Sequence, residues 1–228
     1  MIHKFLALSL LLFVGLQAQA DVHPVIDPFD EIIVTGNVKI YLEKSDSVHL
    51  EVERGDDDDL RIDNDGSVLR IKRKKLYNIE SYDKDEAIKV RISYTVLRRI
   101  KGSAGAEFYS KSPIEGDQLL IKLGSGAEGD LEVSLNKVEI YLGEGAQLEI
   151  EGQATDQESF VATGAVLEGY RLKSENTYVK ASTGGEAEVH ATARLEANAH
   201  TGGDIKYKGD PDKVKISDNL GGQVSNHR

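Results

Sequence analysis

A glycine-centred motif recurs through the second half of the chain at intervals of 18 to 21 residues. Its central glycines are Gly105, Gly126, Gly145, Gly164, Gly184, Gly202 and Gly221. A fixed period of this length is typical of a solenoid, in which each repeat forms one coil stacked on the previous one. The repeat therefore predicts the fold class, but it indicates no chemical reaction.

Apolar residues flank these glycines at alternate positions. They stand seven, five and three residues before most of them, as Leu119, Ile121 and Leu123 do before Gly126. A spacing of two residues indicates a strand with alternate side chains pointing inward. Each coil is therefore predicted to hold a strand, a glycine corner and a second strand. Stacked in parallel, the coils would form a β-helix, right-handed by the general preference of parallel crossovers.

The corner is expected to require glycine because a positive φ angle is unfavourable for residues that carry a Cβ. The small residue after the glycine would pack where adjacent coils crowd together, and the Ser or Thr before it in several coils is placed to bond between coils. A phosphate-binding loop is not indicated, because such a loop occurs once, before a helix. Gln157 and Ser159 occupy inward positions in one coil, so its core is expected to be weaker.

Residues 29–95 alternate with a different rhythm and read as N-terminal strands that include a hairpin. Asn64-Asp65-Gly66 separates two alternating runs, which is the strongest short hairpin signal. No helix-period segment exceeds a turn or two. The chain is therefore predicted to be all-β, with a hairpin-rich segment at 29–95 and parallel β-helix coils at 96–228.

The first twenty residues have the pattern of a secretory signal peptide. Lys4 precedes an apolar stretch, and Ala18-Gln19-Ala20 supplies a small-residue cleavage site. Residues 21–28 would then be a linker.

The sequence contains no cysteine, so its stability depends on its core and its backbone ladders. With a formal net charge of −11, the chain is a poor partner for nucleic acid, and no second apolar segment is long enough to span a membrane.

The N-terminal strands also carry a resemblance to a known family. The segments are 29–42 (FDEIIVTGNVKIYL), 48–53 (VHLEVE) and 65–69 (DGSVL), followed by 100–104 (IKGSA) and the Ser/Thr-Gly-Ala repeats. This order resembles the auto-transporter adhesin, head GIN domain family of exported bacterial proteins. The resemblance covers roughly residues 29 to 225. It implies a β-helical fold and an envelope location, and it supplies no catalytic residue.

Two clusters of charge are candidate binding sites. Residues 56–59 are four consecutive aspartates, Asp56-Asp57-Asp58-Asp59, and would suit calcium, which prefers several carboxylate oxygens. Their spacing does not fit an EF-hand, so a solvated loop is favoured. The basic run at 70–75, with Arg98, Arg99 and Lys101 further on, would suit an acidic polysaccharide or a lipid headgroup. The favoured interpretation is the outward face of a strand that guards a sheet edge.

The remaining candidates are dispersed. His23, His49, His190, His200 and His227 match no metal-ligand spacing, so no metal or cofactor is expected. Carboxylates that alternate outward after the glycines are predicted to form an acidic strip along the axis; they are Asp130, Glu132, Glu149, Glu151, Glu168 and Glu188. Tyrosine is the main aromatic residue, and aromatic rings on a flat sheet can stack on sugars, but no single position is favoured.

Together these patterns favour an exported, non-catalytic protein of the cell envelope or cell surface, with an adhesin-like role and an unidentified glycan or protein ligand. The alternative is a carbohydrate-active enzyme, a polysaccharide lyase or hydrolase, because β-helices also support such chemistry. These enzymes need paired carboxylates or calcium in a walled groove, and the short, uniform coils leave few residues for walls. Association through the exposed ends of the solenoid is also expected to be possible.

Overall fold

The computed structural model describes residues 26–54, 57–74 and 87–227, except for the side chain of Asp57. Its strands are β1 (Glu31–Thr35), β2 (Val38–Lys44), β3 (His49–Arg54), β4 (Leu60–Asp65), β5 (Val68–Arg73), β6 (Ile88–Tyr94), β7 (Arg99–Ser103), β8 (Glu107–Ser110), β9 (Ile114–Leu123), β10 (Glu128–Leu142), β11 (Gln147–Ala162), β12 (Val166–Ser182), β13 (Glu186–His200), β14 (Asp204–Lys208), β15 (Lys213–Asn219) and β16 (Gln223–Asn226). A 3₁₀ helix, Asp57–Asp59, precedes β4. In the described parts of the chain no helix is long and apolar enough to cross a membrane.

The strands stack into a β-solenoid of about seven turns, which confirms the predicted fold class. Face A contains β4, β5, β1, β7, β9, the C-terminal parts of β10–β13, and β15, in that order along the axis. Face B contains β3, β6, β2, β8, the N-terminal parts of β10–β13, β14 and β16. Face C is formed by the middle parts of β10–β13 and the start of β9. The glycine corner joins face A to face B.

Successive coils pair in parallel with the offset expected from the glycine period. Glu128 pairs with Gln147, and Lys122 with Tyr141. The offset changes where β12 meets its neighbours, with a register shift after Glu149 in the pairing with β11. Because most strands pair in register, residues at the same distance from the corner glycine form straight rows along the outside of the solenoid.

Each corner is a tight turn made by two consecutive residues with positive φ. The seven central glycines have φ between 69° and 79°, and the residue before each has φ between 48° and 56°. At one corner the Ala146 amide donates to the Gly143 carbonyl oxygen at 3.1 Å, and the Gly145 amide donates to Thr163 in the next coil at 3.1 Å. Glycine has ready access to this conformation, whereas the preceding residue adopts it at an energetic cost. The sequence pattern did not predict the positive φ of the residue before each glycine.

The N-terminal strands belong to the same column of coils. β1 pairs in parallel with both β5 and β7, and β2 pairs in parallel with β6 and β8. The predicted hairpin is present, because β4 and β5 are antiparallel around Gly66. β3 is also antiparallel, to β6. The stack of coils therefore starts before Gly105, where the first coil was expected from the glycine repeat.

In the described residues the interior is an apolar column, interrupted in β11 and β12 by a group of buried polar side chains. Gln157, Ser159, Ser174 and Thr177 are buried together in β11 and β12. Ser174 Oγ donates to Gln157 Oε1 at 3.0 Å, and Gln157 Nε2 donates to Ser159 Oγ at 3.0 Å. Thr177 Oγ1 lies 2.6 Å from Ser174 Oγ and completes the chain. The coil expected to have a weaker core thus buries a connected chain of hydrogen bonds.

Candidate binding groove

Face A carries an outward row that stands four residues before the corner glycines from Gly105 to Gly202, and the residues of β5 and β1 in register with Lys101 extend it. Along the axis the row reads Arg70, Ile33, Lys101, Lys122, Tyr141, Phe160, Lys180 and Asn198. These side chains project because they alternate with the buried positions of their strands. We call this set the tall row; it combines cations with a central aromatic pair.

The next outward row, two residues nearer the corner, is made of small side chains. It contains Ser103, Gly124, Gly143, Ala162 and Ser182. Ser125 and Glu144, on the turns beyond, form the opposite side. The height difference between the rows produces a groove of about 640 Å³ that runs along the solenoid axis. Five strand positions span about 19 Å at an inter-strand spacing of about 4.8 Å. We call this feature the axial groove.

The depth of the axial groove is not imposed by packing. A Cβ added at Gly143 would meet no atom within 4 Å, and one at Gly124 would approach nothing closer than 3.8 Å. Neither glycine has a positive φ. A Cβ is therefore accommodated at both positions without a steric clash. This contrasts with Gly185, where a Cβ would lie 2.4 Å from the Val161 carbonyl oxygen.

Two aromatic rings, those of Tyr141 and Phe160, form the centre of the wall, and Tyr178 packs beside them outside the groove lining. Tyr141 and Phe160 stack with centroids 4.9 Å apart and planes 8° apart. Tyr178 lies against Phe160 at 5.6 Å with a tilt of 51°. All three side chains are half-buried. Mutual stacking holds the rings in place, so a rigid apolar surface borders the groove.

Cations lie on both sides of the aromatic pair. Lys122 and Lys180 are exposed, and among the described residues no carboxylate lies within ion-pair distance of either. They are three strand positions apart, about 14 Å. Arg70 extends the tall row, and Lys72 pairs with Thr35 beside it. Of the charged residues that line the groove, Lys122 and Lys180 are thus available to an anionic ligand.

Lys101, another lysine of the tall row, forms an ion pair within the protein. Its Nζ lies 2.8 Å from Glu31 Oε1, and Arg99 Nε donates to Glu31 Oε2 at 2.7 Å. Burial of Glu31 raises its pKa, but the hydrogen bonds and charges of Lys101 and Arg99 outweigh this and hold the pKa below its usual value. Glu31 therefore stays ionised and fixes Lys101 against the wall.

The glutamates next to the aromatic wall also form ion pairs. Glu139 and Glu158 precede Tyr141 and Phe160 by two residues and share Lys137, at 2.9 and 3.2 Å. Hydrogen bonds to these two carboxylates raise the pKa of Lys137. Inside the groove, Glu144 is the one carboxylate among the lining residues, and it accepts a hydrogen bond from Ser125 Oγ at 2.5 Å. The paired carboxylates of a glycosidase are therefore not found in this lining.

The predicted calcium cluster lies partly outside the described residues, since Asp56 is not among them. Residues 57–59 form the 3₁₀ helix before β4, where Lys74 Nζ donates to the Asp58 carbonyl oxygen at 2.8 Å. In the described residues no group of three or more His, Asp or Glu side chains is arranged to hold a metal ion.

Arg70 and Lys72 are exposed on β5, as expected for the outward face of a strand, but the prediction that the run guards a sheet edge is wrong. β5, which carries Arg70 and Lys72, lies between β1 and β4. Arg98 and Arg99 pair with Asp30, at 3.0 and 3.4 Å. The predicted basic residues are thus divided between ion pairs with Asp30 and exposed positions of β5 outside the groove lining. Lys75 lies outside the described residues.

The acidic strip is present on face B. Asp130, Glu149, Glu168 and Glu188 follow one another in register, and Arg171 bonds Glu149 and Glu151. His190 Nδ1 lies 3.2 Å from the Tyr170 carbonyl oxygen, and His227 stacks on the Tyr170 ring with centroids 5.5 Å apart. His200 Nδ1 lies 2.5 Å from Asn219 Oδ1. His23 lies outside the described residues. None of these acids or histidines lines the axial groove.

Sequence reasoning missed the groove because it aligned the inward columns alone. The outward columns four and two residues before the glycine hold the signal. One reads Lys101, Lys122, Tyr141, Phe160, Lys180, and the other reads Ser103, Gly124, Gly143, Ala162, Ser182. A tall column beside a small one, in adjacent rows of a solenoid, indicates a groove along the axis.

A β-solenoid with an open groove along one face defines a class of proteins that present extended surfaces to partners. The chain belongs to the family described as "Putative auto-transporter adhesin, head GIN domain", whose model matches residues 28–211. The resemblance found in the sequence is thereby confirmed. No curated protein matches the chain.

Solved structures share the fold. A putative adhesin from Bacteroides fragilis NCTC 9343 superposes with a TM-score of 0.76 at 19% identity, covering 89% of this chain and 94% of that one. A putative lipid binding protein from Parabacteroides distasonis ATCC 8503 gives a TM-score of 0.67 at 18% identity, covering 90% and 95%. A putative adhesin from the same strain gives 0.65 at 24% identity, covering 89% and 94%.

Proposed function

We propose that this chain is an exported, non-catalytic interaction protein of the cell surface or envelope, and that it binds an acidic linear polysaccharide in the axial groove. One observation carries the proposal: along one open groove, Lys122 and Lys180, which have no ion-pair partner in the described residues, flank the stacked Tyr141 and Phe160. The family description supports an adhesin-like role.

The groove suits a polymer because it is open and runs along the axis. An extended chain can continue past both ends, and its anionic groups can meet cations at several strand positions. The apolar faces of sugar rings can pack against the aromatic wall while their hydroxyls stay hydrated. Lys122 and Lys180 lie about 14 Å apart along the groove, a separation that suits a repeating anion better than a single headgroup.

A lipid ligand is the second candidate, because one structural neighbour carries that description. Lipid pockets enclose most of an apolar chain. The axial groove is shallow, is open to solvent and has lysines along its length, so an acyl chain would remain largely in water. The enzyme alternative is not favoured either, because Glu144 is the groove's one lining carboxylate.

The binding proposal is tested with the chain from Asp21 onward, on an array of acidic and neutral polysaccharides and on vesicles of anionic phospholipid. Product analysis by reducing-end and unsaturated-sugar assays runs in parallel. The expected result is retention on acidic polysaccharides with no product. Vesicle binding alone would replace polysaccharide with lipid, and product release would overturn the non-catalytic assignment.

Export is tested separately, by N-terminal sequencing of the protein recovered from cell fractions. The proposal predicts recovery outside the cytoplasm with Asp21 as the first residue. Recovery from the cytoplasm with Met1 in place would contradict it.

A further inference from the structure

The last coil of the solenoid leaves its core uncovered. Val214 and Ile216 in β15 are 47% and 43% exposed, whereas Leu195 and Ala197, their partners in the preceding coil, are fully buried. Leu220, in the final corner turn, is 80% exposed. Val214 and Ile216 occupy inward positions of the repeat, and in the described residues no further coil covers them, whereas Leu220 stands at the turn position before the corner glycine.

The backbone at this end is also open. In the described residues β15 pairs with β13 alone, and β16 pairs with β14 alone. Each strand therefore presents a free row of amide and carbonyl groups beside exposed apolar side chains. Such an edge is a template for pairing with another strand.

The opposite end of the solenoid is different. Its outermost strands, β4 and β3, run antiparallel to their neighbours. Their inward residues Leu60 and Leu50 are 3% and 1% exposed. The core at this end is covered, so it offers no surface equivalent to that around Ile216. One end of the molecule is open and the other is closed.

We propose that the open end docks against the same end of a second copy of this chain, which gives a closed two-fold dimer. A second copy presents the same coil outline, the same unpaired ladder and the same apolar centre. A contact that uses one patch on both molecules closes upon itself, and the covered opposite end prevents growth into a fibre.

The charges of β15 are compatible with this pairing. An antiparallel pair of β15 strands centred on Ile216 places Lys215 opposite Ser217, and Lys213 opposite Asn219, of the second copy. Val214 then faces Asp218. No lysine is opposite another lysine, so the like-charge repulsion that destabilises cross-strand pairs is avoided. The lysines therefore do not oppose this register.

Sedimentation velocity of the chain from Asp21 onward tests the proposal over concentrations from about 1 to about 500 µM. One coil end is smaller than a standard interface, so a dimer with a dissociation constant on the order of 10 µM is expected. Ile216→Lys should weaken dimerisation at least about tenfold. Val96→Lys is the matched control, since Val96 is 45% exposed elsewhere on the molecule.

Hydrogen exchange at low and high concentration provides a second readout that does not depend on a variant. Amides of β15 and β16 should become more protected as concentration rises, whereas those of β4 should not change. A monomer at every concentration would show that Lys213 and Lys215 guard a solvated edge, and would overturn the proposal. A dimer unaffected by Ile216→Lys, or oligomers that keep growing, would also overturn it.

Discussion

The rings of Tyr141 and Phe160 stack face to face although they come from different coils, with centroids 4.9 Å and planes 8° apart. The pair exists because both residues stand four positions before a corner glycine, and parallel coils in register bring such residues together. The same register places Lys122 on one side of the pair and Lys180 on the other. The repeat that builds the solenoid thus also builds the wall of the groove.

Filling the groove should abolish binding without weakening the fold. Gly143→Leu places a side chain where a Cβ would meet nothing within 4 Å. We expect loss of acidic polysaccharide binding and an unchanged or slightly higher melting temperature, because glycine in an extended segment costs about 0.5–1 kcal/mol relative to alanine. The matched control is Gly116→Leu, at an exposed glycine outside the groove. Full binding by the Gly143 variant would place the ligand elsewhere.

Alanine substitutions at three glycines should rank in stability according to what each glycine does. Gly145→Ala should lower the free energy of unfolding by about 1 kcal/mol, because φ is 73° and the added Cβ causes backbone strain without a steric clash. Gly185→Ala should cost more, about 2–3 kcal/mol, because the added Cβ overlaps the Val161 carbonyl. Gly143→Ala should cost nothing. Urea denaturation of the three variants measures this ranking of unfolding free energies. Equal costs for the variants of Gly145 and Gly143 would show that the corner does not require glycine.

The residue before each corner glycine offers a stabilising change. Thr183 has φ of 53°, a conformation unfavourable for a β-branched residue. Thr183→Asn should raise the free energy of unfolding by about 1 kcal/mol, because asparagine tolerates left-handed backbone better. Thr155→Asn, at an exposed strand position, serves as the control and should have little effect. A loss of stability in the Thr183 variant would argue against strain at the corner.

The sequence predicted the all-β solenoid, the corner glycines and the Asn64-Asp65-Gly66 hairpin because each depends on local chemistry that repeats or has a short-range signal. The parallel pairing of β1 with β5 and β7 was not predictable in this way, because it joins Ile32 to Leu69, 37 positions away, and to Ile100, 68 positions away. The groove was not predicted either, because its depth depends on which outward columns lie next to each other. Gly143 can be assigned to the row of small side chains only when the register of several coils is known.

The buried chain of hydroxyls and the glutamine amide should be sensitive to the loss of one member. Ser174→Ala removes the donor to Gln157 Oε1 and leaves this buried oxygen without its 3.0 Å partner. We expect a loss of about 1–3 kcal/mol, the cost of an unsatisfied buried polar group. Thr192→Ala removes an exposed hydroxyl that bonds the Ser174 carbonyl oxygen, and should cost less than about 1 kcal/mol. Equal effects in urea denaturation would contradict the role of burial.

The contacts of Glu31 predict a pH dependence. Lys101 and Arg99 hold the pKa of Glu31 below its usual value of 4.5, despite the opposing effect of burial. The charged form therefore contributes stability above the unfolded pKa, and this contribution is lost as pH falls through the lower folded pKa. Glu31→Gln should be less stable than the native chain near pH 7, and the difference should shrink below about pH 4.5. A difference that does not vary between pH 7 and pH 3 in urea denaturation would refute this assignment.

Calorimetric titration with polygalacturonate, and with its methyl-esterified form as an uncharged match, tests the central claim most directly. The account predicts binding of the charged polymer and at least about tenfold weaker binding of the ester. It predicts a similar loss for Lys122→Glu, and none for Lys173→Glu, which reverses an exposed lysine outside the groove. Equal affinity for the charged polymer and its ester, or equal effects of the two charge reversals, would contradict the claim that the groove binds an acidic polysaccharide.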